Sequence, residues 1–83
     1  VLLGRVTGTV TATAKDAALV GGALLLVDLP AGEIVALDTV GAGVGDEVIV
    51  TTGSAARLPG GATGAPVDAT IIAIADSVAR ATK

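Results

Sequence analysis

From Leu2 to Ala14 the chain alternates without a break. Leu2, Gly4, Val6, Gly8, Val10, Ala12 and Ala14 fall on one face, and Leu3, Arg5, Thr7, Thr9, Thr11 and Thr13 on the other. A two-residue period rich in Val and Thr specifies a half-buried β-strand and is incompatible with an amphipathic helix. The segment is long for one strand, so it is expected to bend, with Gly4 or Gly8 as the bending point. The row of threonines on its second face is expected to meet solvent, a neighbouring strand or a neighbouring subunit.

The rest of the chain punctuates into similar pieces. Lys15 to Gly22 reads as a loop, and Ala23 to Leu29 as a strand covered on both faces, broken only by Asp28. Leu29-Pro30-Ala31-Gly32-Glu33 is a turn that makes a hairpin with a third strand, Ile34 to Val40. A glycine loop, Gly41 to Asp46, leads to a fourth strand, Glu47 to Thr52. Gly53-Ser54-Ala55-Ala56-Arg57 reads as a cap and one helical turn, with Ser54 the expected N-cap. Leu58 to Pro66 is an irregular loop, and Val67 to Asp76 a fifth strand in which Ile71, Ile72 and Ile74 argue against helix. Ser77 to Lys83 is a short tail. Five strands in a flat sheet leave two open edges, whereas a small barrel of the oligonucleotide-binding type removes them. The expectation is therefore an all-β chain: one five-stranded barrel domain over residues 1–76 with a short helical turn, and a tail over 77–83.

Composition then limits what such a barrel can do. The 83 residues include no Phe, Tyr, Trp, Met, Cys or His. Disulfides, thiolate chemistry, zinc held by Cys or His, and imidazole catalysis are excluded, and so is base stacking on aromatic rings. Five basic and eight acidic residues give a net charge of −3, which disfavours a nucleic-acid partner because phosphate contacts need Lys and Arg. The longest apolar stretch, Ala17 to Val27, is far below the roughly 20 residues of a membrane span. With neither cysteine nor a charged-then-apolar leader in the sequence, the cytoplasm is the expected compartment. A chain this short buries only about 60–65% of its unfolded surface, and 13 charges cannot cover a surface so rich in Ala, Val, Leu and Ile. Either the core is unusually apolar or some of that surface meets another chain, the usual support for a small core; a sticky monomer is the alternative.

Few residues offer site chemistry. Gly41-Ala42-Gly43-Val44-Gly45 has G-x-G-x-G spacing with a strand after it, matching neither the dinucleotide fingerprint nor the phosphate loop. A turn with positive backbone angles, or a close approach between backbones, explains it better; in an oligomer that approach would lie near a symmetry axis. The carboxylates Asp16, Asp28, Glu33, Asp38, Asp46, Glu47, Asp68 and Asp76 include no pair that spacing selects, not even Asp38 with Asp46, and carboxylates in turns usually bond local amides. Ser54 and Ser77 have no His to activate them. Arg57 stands apart, because its fixed fork of donors suits carboxylates and carbonyls at an interface; a solvated or intramolecular arginine is the other reading.

Four segments together resemble the EutN/CcmL family, the vertex proteins of bacterial microcompartment shells. They are Gly8 to Thr13 with Lys15, Asp16 and Leu19; Asp38 to Asp46; Gly53 to Arg57; and Pro66 to Ala69 leading to Ile74, Ala75 and Asp76. The second and third are the most specific. The resemblance implies an oligonucleotide-binding-like barrel assembling as a cyclic pentamer, with no enzymatic activity and no cofactor. Such a pentamer would cap five-fold vertices of a carboxysome or metabolosome shell, packing against hexameric shell proteins, with no nucleic acid or membrane as partner. It implies that Gly53, Ser54, Ala55, Ala56 and Arg57 face the hexamers, and that Gly41, Ala42, Gly43, Val44 and Gly45 lie near the five-fold axis or a subunit seam. The sequence departs from many members in the short Leu29–Glu33 link and at Gly22 and Ala73, where Lys and Gly are expected. The competing readings are a ligand- or nucleic-acid-binding barrel of the same fold and a small enzyme or enzyme subunit.

Overall fold

Five strands form as the alternation demands, and they close on themselves. The computed structural model describes residues 1–11, 22–64 and 66–79. The strands are β1 (Leu2–Val10), β2 (Ala23–Leu29), β3 (Gly32–Asp38), β4 (Glu47–Thr52) and β5 (Ala69–Ile74). They are joined in the cyclic order β1-β2-β3-β5-β4 as a closed barrel, so the sheet has no open edge. All neighbours are antiparallel except β3 and β5, which close the wall in parallel over two pairs only, Leu37 with Thr70 and Asp38 with Ile71. The expected five-stranded barrel with a short helical turn is what the chain forms.

Inward-facing side chains of every strand fill the barrel: Val6, Leu25, Val27, Leu29, Ala36, Val48, Val50, Ala69 and Ile71. All are aliphatic and most are small, as the narrow lumen of a five-stranded barrel requires. A second apolar cluster lies outside the wall. Leu37 and Leu24, opposed on β3 and β2, are covered by Ala62 and Val67. Ala62 belongs to a 3₁₀ turn, Gly60–Ala62, within the stretch expected to be irregular. That turn covers the outer face of β2 only at Leu24, and Leu26 further along stays half-buried, so the coverage expected on both faces of β2 is met only in part. Among the described residues no buried side-chain nitrogen or oxygen lacks a hydrogen-bond partner.

The strand boundaries depart from expectation where a side chain or a turn takes over a backbone bond. β3 starts at Gly32, because Leu29 pairs with Gly32 and leaves only Pro30 and Ala31 in the turn. It ends at Asp38, whose Oδ1 accepts the Val40 N–H at 3.0 Å while the Thr39 hydroxyl donates to the Ile71 carbonyl at 2.8 Å. Both bonds draw Thr39 and Val40 out of the expected strand. β5 is shorter than Val67–Asp76, although the Gly53 N–H to Asp68 carbonyl bond (2.8 Å) and the Ala75 N–H to Glu47 carbonyl bond (2.8 Å) continue the pairing at its two ends. Ser77 to Ala79 form neither helix nor strand. The expected extension of β1 through 12–14, most of the following loop with Asp16, and residues 80–83 lie outside the described residues.

The largest correction concerns β1. Its register against β2 shifts between Val6 and Gly8. A bulge inserts one residue and so exchanges the two faces of the strand beyond it. Val6 faces the core opposite Val27, but Thr9 then stands opposite Leu25 and Val10 opposite Leu24. Gly8 and Val10 therefore leave the face that simple alternation assigned them. The irregularity falls at Thr7, next to Gly8, and Gly4 has another role. A Cβ on Gly4 would meet Leu29 Cδ2 and Val27 Cγ1 at 2.7 Å and the Asp28 carbonyl oxygen at 2.8 Å.

Candidate functional site

The turn after β4 is shaped by its first residue and anchored by its fourth. Gly53 has φ +70°, a conformation side chains rarely adopt, and it turns the chain sharply out of the strand. Residues Gly53–Arg57 then form a 3₁₀ turn. Ser54 is not its cap. Thr52 holds that position in extended conformation and makes no side-chain capping bond; the left-handed glycine already places the first turn, and a backbone bond to Asp68 fixes its start. Ala56 is fully buried, and its carbonyl accepts a 2.6 Å bond from the buried Thr70 hydroxyl. The turn is thereby bonded to β5 from within.

This anchoring decides which residues face outward. Ala56 points at the barrel, whereas Gly53, Ser54, Ala55 and Arg57 are exposed. Arg57 Nε donates to the Val67 carbonyl at 3.3 Å, which holds the guanidinium against the wall. Among the described residues the only ion pair is Arg5 with Glu47 (3.4 Å), so no described carboxylate neutralises Arg57. Beside it Leu58 is 79% exposed. Nothing in the sequence pattern marks Leu58, which lies in a Gly/Pro-rich stretch without periodicity.

The glycine loop occupies the other end of β4. Six strand residues, roughly 20 Å, separate it from the Gly53–Arg57 turn. Gly41 and Gly45 have φ +79° and +94°, as a structural turn demands, whereas Gly43 does not use a positive φ. Asp46 Oδ2 accepts the Gly43 N–H at 2.8 Å, and the Asp46 N–H returns to the Gly43 carbonyl at 3.0 Å. The loop is tied to β1 by Val6–Asp46 and Gly45–Val6 backbone bonds and by Arg5 Nη1 donating to the Gly45 carbonyl at 2.7 Å. Ala42 packs on the core, and Val44 is left 64% exposed at the tip. The Gly43 amide is thus already bonded to a carboxylate, an arrangement unsuited to cradling a phosphate.

Four of the carboxylates are engaged in structural bonds. Asp38 and Asp46 each accept a backbone amide of their own loop, Glu47 pairs with Arg5, and Glu33 accepts the Thr7 hydroxyl at 3.2 Å. Among the described residues no three His, Cys, Asp or Glu side chains are grouped to hold a metal. The two loops flanking β4 are each tied to the barrel wall by hydrogen bonds and carry no grouped reactive side chains.

Known proteins share this design along nearly the whole chain. Residues 2–76 match the family model described as ethanolamine utilisation protein EutN/carboxysome. The bacterial microcompartment shell vertex protein GrpN of Rhodospirillum rubrum is 43% identical, with 92% of this chain and 93% of that protein covered. The carboxysome shell vertex protein CcmL of Thermosynechococcus vestitus is also 43% identical, over 94% and 86%. In three dimensions the pentameric microcompartment shell protein GrpN from R. rubrum superimposes with a TM-score of 0.84 at 37% identity, covering 99% of this chain and 100% of that one. A single barrel with these two end motifs, matched over residues 2–76 of its 83, belongs to the EutN/CcmL family.

Proposed function

We propose that the chain is a structural shell protein, five copies of which form a ring that caps a five-fold vertex of a bacterial microcompartment. The observation that carries this reading is the near-complete match, in sequence and in fold, to a vertex protein whose structure is pentameric. The physical character of the chain supports it. A vertex needs fixed shape rather than a reactive group, and the barrel is closed, with an aliphatic core and end loops pinned by short hydrogen bonds. The role is mechanical, without catalysis or cofactor, and places the protein in a shell within the cytoplasm.

Contact with hexameric shell proteins falls to the Gly53–Arg57 turn. Its exposed face of Ser54, Ala55 and Arg57 is small and firm, so a neighbour's backbone can approach closely, and the Arg57 guanidinium still has donors to offer. Leu58 adds apolar area beside it. The glycine loop, at the far end of β4, is assigned to the axis or a subunit seam. The test is co-assembly with hexameric shell proteins. Arg57→Ala is expected to leave the pentamer intact by native mass while reducing the yield of closed shells seen by electron microscopy. Closed shells formed equally well with the variant would remove Arg57 from the hexamer contact.

A further inference from the structure

A ring with an odd number of copies cannot be built from self-complementary contacts; each copy must offer two different faces that fit each other. The barrel has two such faces on opposite sides. Cross-strand pairing defines them, since directly opposed residues share a face. On the β2–β3 side, Leu26 of β2 lies between Gly8 of β1 and Val35 of β3 on the outer surface. The upper part of this wall, Leu24 with Leu37, is covered by the chain's own Ala62 and Val67, but the lower part is not, and Val35 is 46% exposed. On the β4–β5 side, Leu3 of β1, Ile49 of β4 and Ala73 of β5 are opposed in one outward row, with Ile72 beside them and 36% exposed. A register shift on each wall produces the exposure. The β1 bulge turns Gly8 outward, and the shift between Ile49 and Val50 pairs Ile49 with Ala73 and leaves Ile72 unpaired opposite β4.

We infer that the Leu26/Val35 wall of one copy seats against the Leu3/Ile49/Ile72 wall of the next. The inference rests on the pentamer reading above and adds which surfaces make the ring. The occupant is a second copy for two reasons. The full-length structural relative is itself pentameric, and the Gly53–Arg57 turn assigned to the hexamers lies beyond one end of β4, so barrels standing side by side leave it free. Leu26 lies over Gly8, its Cδ1 3.3 Å from where a Cβ would stand, and both walls are aliphatic, so contact is driven by removing apolar area from water.

The chain contains no cysteine, which permits a direct test. The double variant Val35→Cys/Ile72→Cys, treated with a short bismaleimide and run on a denaturing gel, is expected to give a covalent ladder reaching five copies. Either single variant cannot extend a head-to-tail ladder and is expected to stay largely monomeric on the gel. In parallel, Val35→Asp and Ile72→Asp, each on the outer wall, are expected to shift native mass from five copies to one with the barrel still folded by circular dichroism. A double cysteine variant that is pentameric by native mass but gives no ladder, or aspartate variants that remain pentameric, overturn the wall assignment and leave the pentamer reading standing. A parent chain that is not pentameric overturns both.

Discussion

Replacing Gly4 with alanine introduces one methyl group at the tightest point of the barrel. Gly4 does not use a positive φ, so backbone strain contributes nothing to the outcome and the effect is decided by space alone. The new Cβ would lie 2.7 Å from Leu29 Cδ2 and Val27 Cγ1, and 2.8 Å from the Asp28 carbonyl oxygen. The two methyls can move by rotating, but the carbonyl belongs to β2 and is held by its pairing with β1 and β3. Forcing extra volume into a packed core costs roughly 1–3 kcal/mol, and a backbone contact puts Gly4→Ala at the upper end, about 2–3 kcal/mol. For a domain of this size each kcal/mol lowers Tm by roughly 4–8 °C, so the melting point is expected to fall by roughly 10–20 °C. Gly8→Ala is the internal control. Its Cβ would meet only the Leu26 side chain, with the flexible Cδ1 nearest at 3.3 Å. Reduced freedom of the unfolded chain favours alanine by about 0.4–1 kcal/mol, so the net change at Gly8 is expected to be small. Melting of the two variants and the parent, followed by circular dichroism at one fixed protein concentration, makes the comparison, because assembly contributes to apparent stability. Gly4→Ala melting with the parent would refute the close approach of β1 to β2.

Three further outcomes follow from the hydrogen bonds and the core. Thr70→Val keeps the shape of a fully buried side chain but leaves the Ala56 carbonyl without its 2.6 Å donor; the expected cost is about 1–3 kcal/mol, read as a lower urea midpoint with unchanged slope. Asp46→Ala removes the acceptor of the Gly43 N–H, so amide exchange at Gly43 should accelerate while that of the β4 core residues Val48 and Val50 does not. Ile71→Ala empties a fully buried position at the centre of the aliphatic core, with an expected loss of roughly 2–5 kcal/mol measured by urea unfolding.

Much of the fold was legible because period-two alternation and Gly/Pro punctuation are local signals. β2 and β4 lie where the pattern placed them, and the Gly53–Arg57 turn begins and ends as expected. What the pattern missed depends on partners distant in sequence. The alternation of β1 reads as one uninterrupted face, yet the bulge before Gly8 exchanges its faces, because the strand must bend to pair with both β2 and β4. Thr39 and Val40 look like strand, but the Asp38 carboxylate and the Ile71 carbonyl claim their polar groups. Leu37 and Ala62, 25 residues apart, form an outer cluster that no local pattern encodes. At the candidate site, the sequence singles out Arg57 in a charge-poor chain and the structure leaves it exposed, whereas the exposure of Leu58 and the inward anchoring of Ala56 came only with the Thr70 hydrogen bond and the 3₁₀ geometry.

The copy number in solution tests the central claim most directly. Native mass spectrometry of the purified chain at micromolar concentration is expected to give one dominant species at five times the 7.8 kDa chain mass. A stable monomer, dimer or hexamer under the same conditions would contradict the vertex account.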